Sequence, residues 1–237
     1  MKKIMTRLLS LVLLGTFIPN FVLAADWDLD KGSITVSATV ESQTVSQAGG
    51  SSTVDNNPVI TSSGKTNNTV TITAEKNATA NVTLENVNID TRTRGGAAIT
   101  ASGEGNVNIE LDGTNRVQSG NTHAGVEKKD NGTLTITDEN KDGSLTANGG
   151  GVGGAGIGGG YGGSGSNITI EGGKVTATGG FAGAGIGGGA GGSGSNIAVS
   201  GGEVTAQGGF DGAGIGGGAG GSGSNITISD GKVTATG

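Results

Sequence analysis

The stretch GAGIGGG occurs at Gly154–Gly160, Gly183–Gly189 and Gly212–Gly218, and each copy satisfies G-x-G-x-x-G. That is the spacing of a dinucleotide loop, where glycines let the backbone approach a pyrophosphate. Such a loop needs one strand before it, one helix after it and an acidic residue further on. Here the motif recurs at a fixed interval with no helical periodicity around it. The glycines are therefore read as architecture. Ala184 and Ile186 are expected to face inward. Gly183, Gly185 and Gly187 are expected to face outward as a nearly bare wall open to close backbone approach.

Metal and acid–base chemistry have fewer candidates. Asp138, Asn140 and Asp142, followed by Gly143, match the D-x-N-x-D-G opening of a calcium loop. The twelfth position, where a bidentate Glu belongs, is Gly149. The competing reading is a polar turn, with Asp142-Gly143 supplying the bend. Calcium is the only cofactor the sequence offers. His123 is the only histidine, and on its own it reads as an exposed corner residue. Glycoside hydrolysis needs two converging carboxylates. The repeats supply only Glu171, Glu203, Asp211 and Asp230, with no paired column. The expectation is a non-enzyme.

Sugar recognition draws on other side chains. Arg92, Arg94, Arg116, Lys128 and Lys129 cluster loosely, and arginine can clamp a uronate carboxylate in a bidentate fork. The competing reading is a solvated surface of mixed charge. Phe181 and Phe210 stand one repeat apart, with Val152 beneath them. They could carry a sugar face, or fold inward to plug a corner. Thr176 and Thr178, Thr205 and Gln207, and Thr234 and Thr236 form a T-x-T ladder similar to ice-binding surfaces. Threonine is also a favourable exposed strand residue.

Repeated short strands must position these groups. Asn167–Ser195 and Asn196–Ser224 are 29-residue copies that differ at six positions, and a third copy starts at Asn225. Within a copy, Ile168/Ile170, Val175/Ala177 and Ala184/Ile186 alternate with a period of two, and glycine pairs separate them. Period two indicates strand. Three strands per repeat make one coil of a parallel β-helix, expected to be right-handed and single-stranded. Ile168, Ile197 and Ile226 should stack in one column, and Val175, Val204 and Val233 in another. Earlier coils are traced through VTL at Val82–Leu84, VNI at Val107–Ile109 and LTI at Leu134–Ile136, with Leu84 set above Ile109. The organisation read from the sequence is a signal peptide at 1–24, cap strands at 25–76, irregular coils at 77–150 and regular glycine-rich coils at 151–237. The last coil stops after its second strand, which suggests a fragment, or an open edge prone to self-association.

The chain has 237 residues, of which 52 are glycine, and its formal net charge is −6. The basic start at Lys2, Lys3 and Arg7, the apolar run and Val22-Leu23-Ala24 mark a secretory signal. Its removal leaves 11 basic against 20 acidic residues. That balance argues against nucleic acid as a partner, and no later apolar run could span a membrane. The absence of cysteine excludes disulfides and thiolate metal sites. The expected location is outside a bacterial cell or on its surface.

The segments VTLENVNID, NVNIELDGTNRVQSG, LTITDENKDGSL and the GAGIGGG repeats, from Val82 to Gly237, resemble a family of secreted, largely Firmicute surface proteins. This is the β-helical carbohydrate-binding domain first recognised in clostridia. The resemblance implies a fold similar to pectate lyases, and binding of plant cell-wall polysaccharide including acidic pectin. The Asn-Thr-Asp, Asp-Asp, Gly-His-Gly and Arg-x-Lys motifs of pectin hydrolysis in that fold are missing. The sequence thus points to a non-catalytic module with polysaccharide as its partner. Its glycan residues would be Arg92, Arg94, His123 and Lys128, or the Phe181/Phe210 wall. The rival is a ligand-free stalk or adhesin spacer. A lyase or hydrolase and an ice-binding protein rank behind both.

Overall fold

The computed structural model describes residues 26–237. The signal peptide expected at 1–24 lies outside the described residues. Three sheets wind as a solenoid of about seven turns. Sheet A stacks eight parallel strands: Asp26–Asp28, Val59–Thr61, Thr79–Glu85, Asn106–Asp112, Thr133–Thr137, Gly165–Ile170, Gly194–Val199 and Gly223–Ile228. Sheet C stacks six, from Asn88–Asp90 through Thr114–Gln118, Ser144–Asn148, Lys174–Thr178 and Glu203–Gln207 to Lys232–Thr236. Sheet B holds nine and narrows along the chain, from Ile34–Ala38 and Val70–Ala74 through Ile99–Ser102 and Val126–Lys128 to Ile157–Gly158, Ile186–Gly187 and Ile215–Gly216. From Thr79 onward each coil visits A, then C, then B. Among the described residues no helix is long and apolar enough to cross a membrane.

Alternation explains the interior. In most strands before the last coil the inward residues are apolar and buried, and they meet their counterparts one coil away. Ile168, Ile197 and Ile226 are in register, as are Val175, Val204 and Val233. Each rung buries its methyl groups only between neighbouring coils, so the apolar contribution grows coil by coil. In the earlier coils Val82 pairs with Ile109, and Leu84 with Leu111. The expected pairing of Leu84 with Ile109 is therefore off by two residues. A slip of two keeps the same face inward, so hydrophobic alternation cannot detect it.

The first strands close the N-terminal end. Ile34–Ala38 pairs antiparallel with Gln43–Gln47, which pairs antiparallel with Thr53–Val54. Trp27 Nε1 donates to Asp55 Oδ2 at 2.8 Å, and buried Gln43 receives the Asn81 N–H at 2.8 Å. An antiparallel hairpin on the first coil covers a parallel edge that would otherwise expose its ladder.

Candidate functional site

Five corner loops carry the chain from sheet C to sheet B: residues 91–98, 119–125, 149–156, 179–185 and 208–214. At about 4.8 Å per coil they form an edge roughly 19 Å long. Arg92 and Arg94 lie on the first loop, His123 on the second, Val152 on the third, Phe181 on the fourth and Phe210 on the fifth. Backbone bonds join consecutive loops, with Val152 N donating to Asn121 O and Phe181 N to Gly151 O. Residues chosen separately as glycan contacts therefore share one edge, and Lys128 is the exception.

Phe181 and Phe210 are 65% and 67% exposed. Their ring centroids are 5.4 Å apart and their planes differ by 11°. That separation is shorter than two rings lying edge to edge in one plane can reach, so the rings are offset-stacked. They do not plug the corner. They spend one face each on the other and turn their edges outward, with Val152 exposed beside them. A sugar cannot lie flat across both rings. It can stack on an outer face or run along the apolar edges.

Tyr161 reaches the same edge from the other side. The loops that leave sheet B fold back over it onto the corner of the preceding coil: Tyr161 N donates to Thr122 O at 2.7 Å, Ala190 N to Gly153 O at 2.8 Å and Ala219 N to Ala182 O at 2.9 Å. A Cβ on Gly153 would come within 3.3 Å of the Tyr161 ring, whose side of the residue is 62% exposed overall. The expected bare wall is also corrected, by the backbone of the adjacent coils. Gly183, Gly185 and Gly187 are buried. A Cβ on Gly185 would lie 2.6 Å from both Gln207 N and Gly214 O. The close backbone approach is real, but it is between parts of this chain.

At the N-terminal end of the edge, Arg92 grips Asp90 with a bidentate fork, Nε to Oδ1 at 3.0 Å and Nη2 to Oδ2 at 2.7 Å. Lys65 Nζ stands 3.6 Å from Asp90 Oδ2. Chiefly through the Arg92 hydrogen bonds, against a smaller opposing effect of burial, the Asp90 carboxyl is held down at about 2. Arg94 Nη1 donates to Asn67 O at 3.2 Å. Lys65, Thr66, Asn67, Asp90, Arg92 and Thr93 line an open cleft of about 630 Å³. Two cations, Lys65 and Arg92, face one carboxylate there, and Arg94 stands at the margin on Asn67 O, a local excess of positive charge on an acidic chain.

His123 and Lys128 have different fates. His123 Nδ1 is 2.7 Å from Glu127 Oε2, and the imidazole side chain is 36% exposed. Lys128 is 4% exposed. It occupies the inward register position of Ala101, and its ammonium donates to Lys129 O at 2.7 Å and Asp130 O at 3.0 Å. Burial lowers its pKa, partly offset by Asp130. Lys128 is thus withdrawn from the surface where the sequence reading had it meeting a glycan. Two lysines in succession hid the alternation, because nothing in the residue type tells which one turns inward.

The expected calcium residues lie on the turn from sheet A to sheet C. Asp138 Oδ1 accepts the Gly143 N–H at 3.0 Å, and Asn140 Oδ1 accepts the Asp142 N–H at 3.4 Å. Lys141, with φ of 65°, takes the left-handed position rather than Gly143. Gly143 is required for space instead, since a Cβ would meet Leu111 O at 2.4 Å. Among the described residues no three His, Cys, Asp or Glu side chains gather as a metal would need. This turn walls a shallow groove of about 470 Å³ on the outer face of sheet A, floored by Asn81, Thr83, Asn108, Glu110, Thr135 and Thr137. Glu110 Oε1 accepts the Glu139 N–H at 2.7 Å. With Glu110, Glu139 and Glu171 around it and no cation in its lining, the groove does not suit an anionic chain.

The chain matches the family model of a beta helix repeat over residues 141–161, 168–190, 197–219 and 226–237. The protein is β-helical. The matched segments fall in the later coils, where the glycine-rich copies stack. No curated protein matches the chain, and no solved structure does.

Proposed function

We propose that this β-helical protein is an exported, non-catalytic module that binds polysaccharide along the corner edge from Arg92 to Phe210. The observation that carries the reading is the exposure of Tyr161, Phe181 and Phe210 on that edge, at 62%, 65% and 67%. The sequence holds only six aromatic residues, and burying a Phe side chain is worth about 1.5–3 kcal/mol to folding. Forgoing that at three residues on one edge suits rings kept for a ligand. The cationic cleft at the other end favours a uronate-bearing chain, such as a pectic one, with Lys65 and Arg94 as partners because Asp90 already holds the Arg92 fork. Many weak contacts along a repeating edge would make affinity rise with the length of glycan engaged.

The test is a titration of residues 25–237 with pectic and cellulosic oligosaccharides of increasing length. Affinity should rise with length. Phe181→Ala with Phe210→Ala should weaken binding at least tenfold with little loss of thermal stability, and Arg94→Ala should weaken only the uronate series, more so at low salt. A folded protein that binds none of these glycans would refute the reading and leave the ligand-free stalk.

A further inference from the structure

The register of sheet B contains one anomaly. Glu127 pairs with Thr100 on one side and with Gly158 on the other, and the column continues through Gly187 and Gly216. A carboxylate thus stands where three later coils have glycine. Its side chain is only 6% exposed. The loop of the next coil lies over it, with Gly160 so close that a Cβ there would sit 3.1 Å from Glu127 Oε2. Burying a carboxylate costs several kcal/mol unless its oxygens are hydrogen-bonded. Here they are. Oε2 faces His123 Nδ1 at 2.7 Å and Ala124 N at 3.2 Å, and Oε1 faces Lys129 Nζ at 3.1 Å.

The fold does not need that charge. In later coils the same loop closes with glycine backbone alone, Gly189 against Gly160 and Gly218 against Gly189. What distinguishes this coil is the only histidine of the chain. The Ala124 amide and the Lys129 ammonium can only donate, so the carboxylate is an acceptor and the proton between Glu127 and His123 sits on Nδ1. In the neutral ring, Nε2 is then an acceptor. No protein partner is found for Nε2 among the described residues, and no buried side-chain nitrogen there is left unpaired, so Nε2 is open to solvent on the edge.

We infer that Glu127 is a positioning residue that fixes His123 in the Nδ1–H tautomer, so that Nε2 accepts a hydrogen bond from a glycan hydroxyl. The inference rests on the edge being the glycan site, and it adds a contact of defined polarity between the cationic cleft, one coil away, and the phenylalanines. A hydroxyl donor is selected there over a group that can only accept.

Nitrogen-15 spectra of the His123 ring, recorded at alkaline pH, test the tautomer without any glycan. The expected result is Nδ1–H in the wild type, shifting to a mixture in Glu127→Gln. An Nε2–H ring in the wild type, or an unchanged tautomer in Glu127→Gln, would overturn the assignment. Binding of the longest oligosaccharide that the wild type retains then tests the contact. His123→Ala and Glu127→Gln should each weaken it about fivefold, and the double variant no further, because both act through one hydrogen bond. Additive losses, or no loss in His123→Ala, which removes a half-exposed ring and should fold normally, would refute the contact. If the wild type binds no glycan, the edge reading falls with the contact, while the spectra still decide whether Glu127 orders His123.

Discussion

The coils before residue 129 and those after it close the same corner by different physics. Thr91, Ser119, Gly149, Gly179 and Gly208 hold one position, where sheet C ends and the corner loop begins, as their backbone bonds show: Thr91 N to Gln118 O, Ser119 N to Asn148 O, Gly149 N to Thr178 O and Gly179 N to Gln207 O. In the first two of these corner loops a hydroxyl braces the loop. Thr91 Oγ1 donates to Gly96 O at 2.8 Å. Ser119 Oγ donates to Ala124 O at 2.6 Å and accepts the Ala98 N–H at 2.8 Å. In the later coils the loop collapses onto the backbone, and a Cβ would meet a carbonyl oxygen at 2.1 Å on Gly149, 2.2 Å on Gly179 and 2.0 Å on Gly208. The buried polar side chains follow the same division. Gln43, Asp55, Thr91, Asn115, Ser119, Glu127 and Lys128 all precede residue 129. A side-chain brace can be varied coil by coil. A backbone contact cannot, and this is a physical reason for the uniformity of the later repeats.

The largest expected effect breaks the backbone mode. Gly179→Ala places its Cβ 2.2 Å from Gly183 O and 2.7 Å from Ala184 O, and neither carbonyl can move without opening the coil. The cost should reach about 3 kcal/mol or more, the upper range for overpacking, read as a lowered urea midpoint. Gly179→Ser should do no better, since the Cβ collides before the hydroxyl can bond. If Gly179→Ser is tolerated, the two modes are interchangeable and the comparison fails.

Next comes the brace itself. Ser119→Ala leaves the buried Ala98 N–H and Ala124 O without their partner, which should cost about 1–3 kcal/mol. Ser119→Gly should be no better, because the first coils lack the collapsed loop that glycine serves. A smaller effect is expected at Gly191, on the loop that folds over sheet B. Its φ is 77° and a Cβ would meet nothing within 4 Å. Gly191→Ala should therefore cost only the left-handed backbone penalty, about 1 kcal/mol. Gly191→Asn should cost less, as asparagine already takes that conformation at Asn167, Asn196 and Asn225.

These positions show what could be read from the sequence and what could not. The repeat length, the three strands and the isoleucine and valine columns follow from period-two alternation, which survives translation along a solenoid. The two-residue offset at Val82 and Ile109 does not, because it preserves facing. The burial of the GAGIGGG glycines was misjudged for a related reason. Alternation assigns a side of the strand, but it cannot say that the backbone of an adjacent coil closes against that side. The Asn167–Asn196–Asn225 ladder, with Nδ2 to Oδ1 distances of 3.0 Å, shows in the sequence only as a repeated first letter of each copy. Of the proposed site, Arg92, Arg94, His123, Phe181 and Phe210 were legible one by one. That they share an edge, and that Glu127 lies beneath His123, depends on corner-loop register, which no local pattern encodes.

The smallest effect concerns the cationic end of the edge. The Asp90 carboxyl sits at about 2, below the ordinary 3.8, chiefly through its hydrogen bonds from Arg92. A carboxylate whose pKa is depressed by folding contributes stability that is complete above its unfolded value. That contribution should drain away between about pH 4 and pH 2, as Asp90 takes up its proton. Arg92→Ala should return the Asp90 midpoint to the ordinary carboxylate range, followed by the side-chain carboxyl carbon shift in an acid titration. Stability should fall modestly at neutral pH, the loss limited because the guanidinium is exposed and screened by solvent, and should be unchanged below about pH 2, where Asp90 is protonated in both proteins. An Asp90 midpoint still near 2 in that variant would mean that Lys65, not Arg92, holds the carboxylate, and that the Arg92 fork is free for a ligand after all.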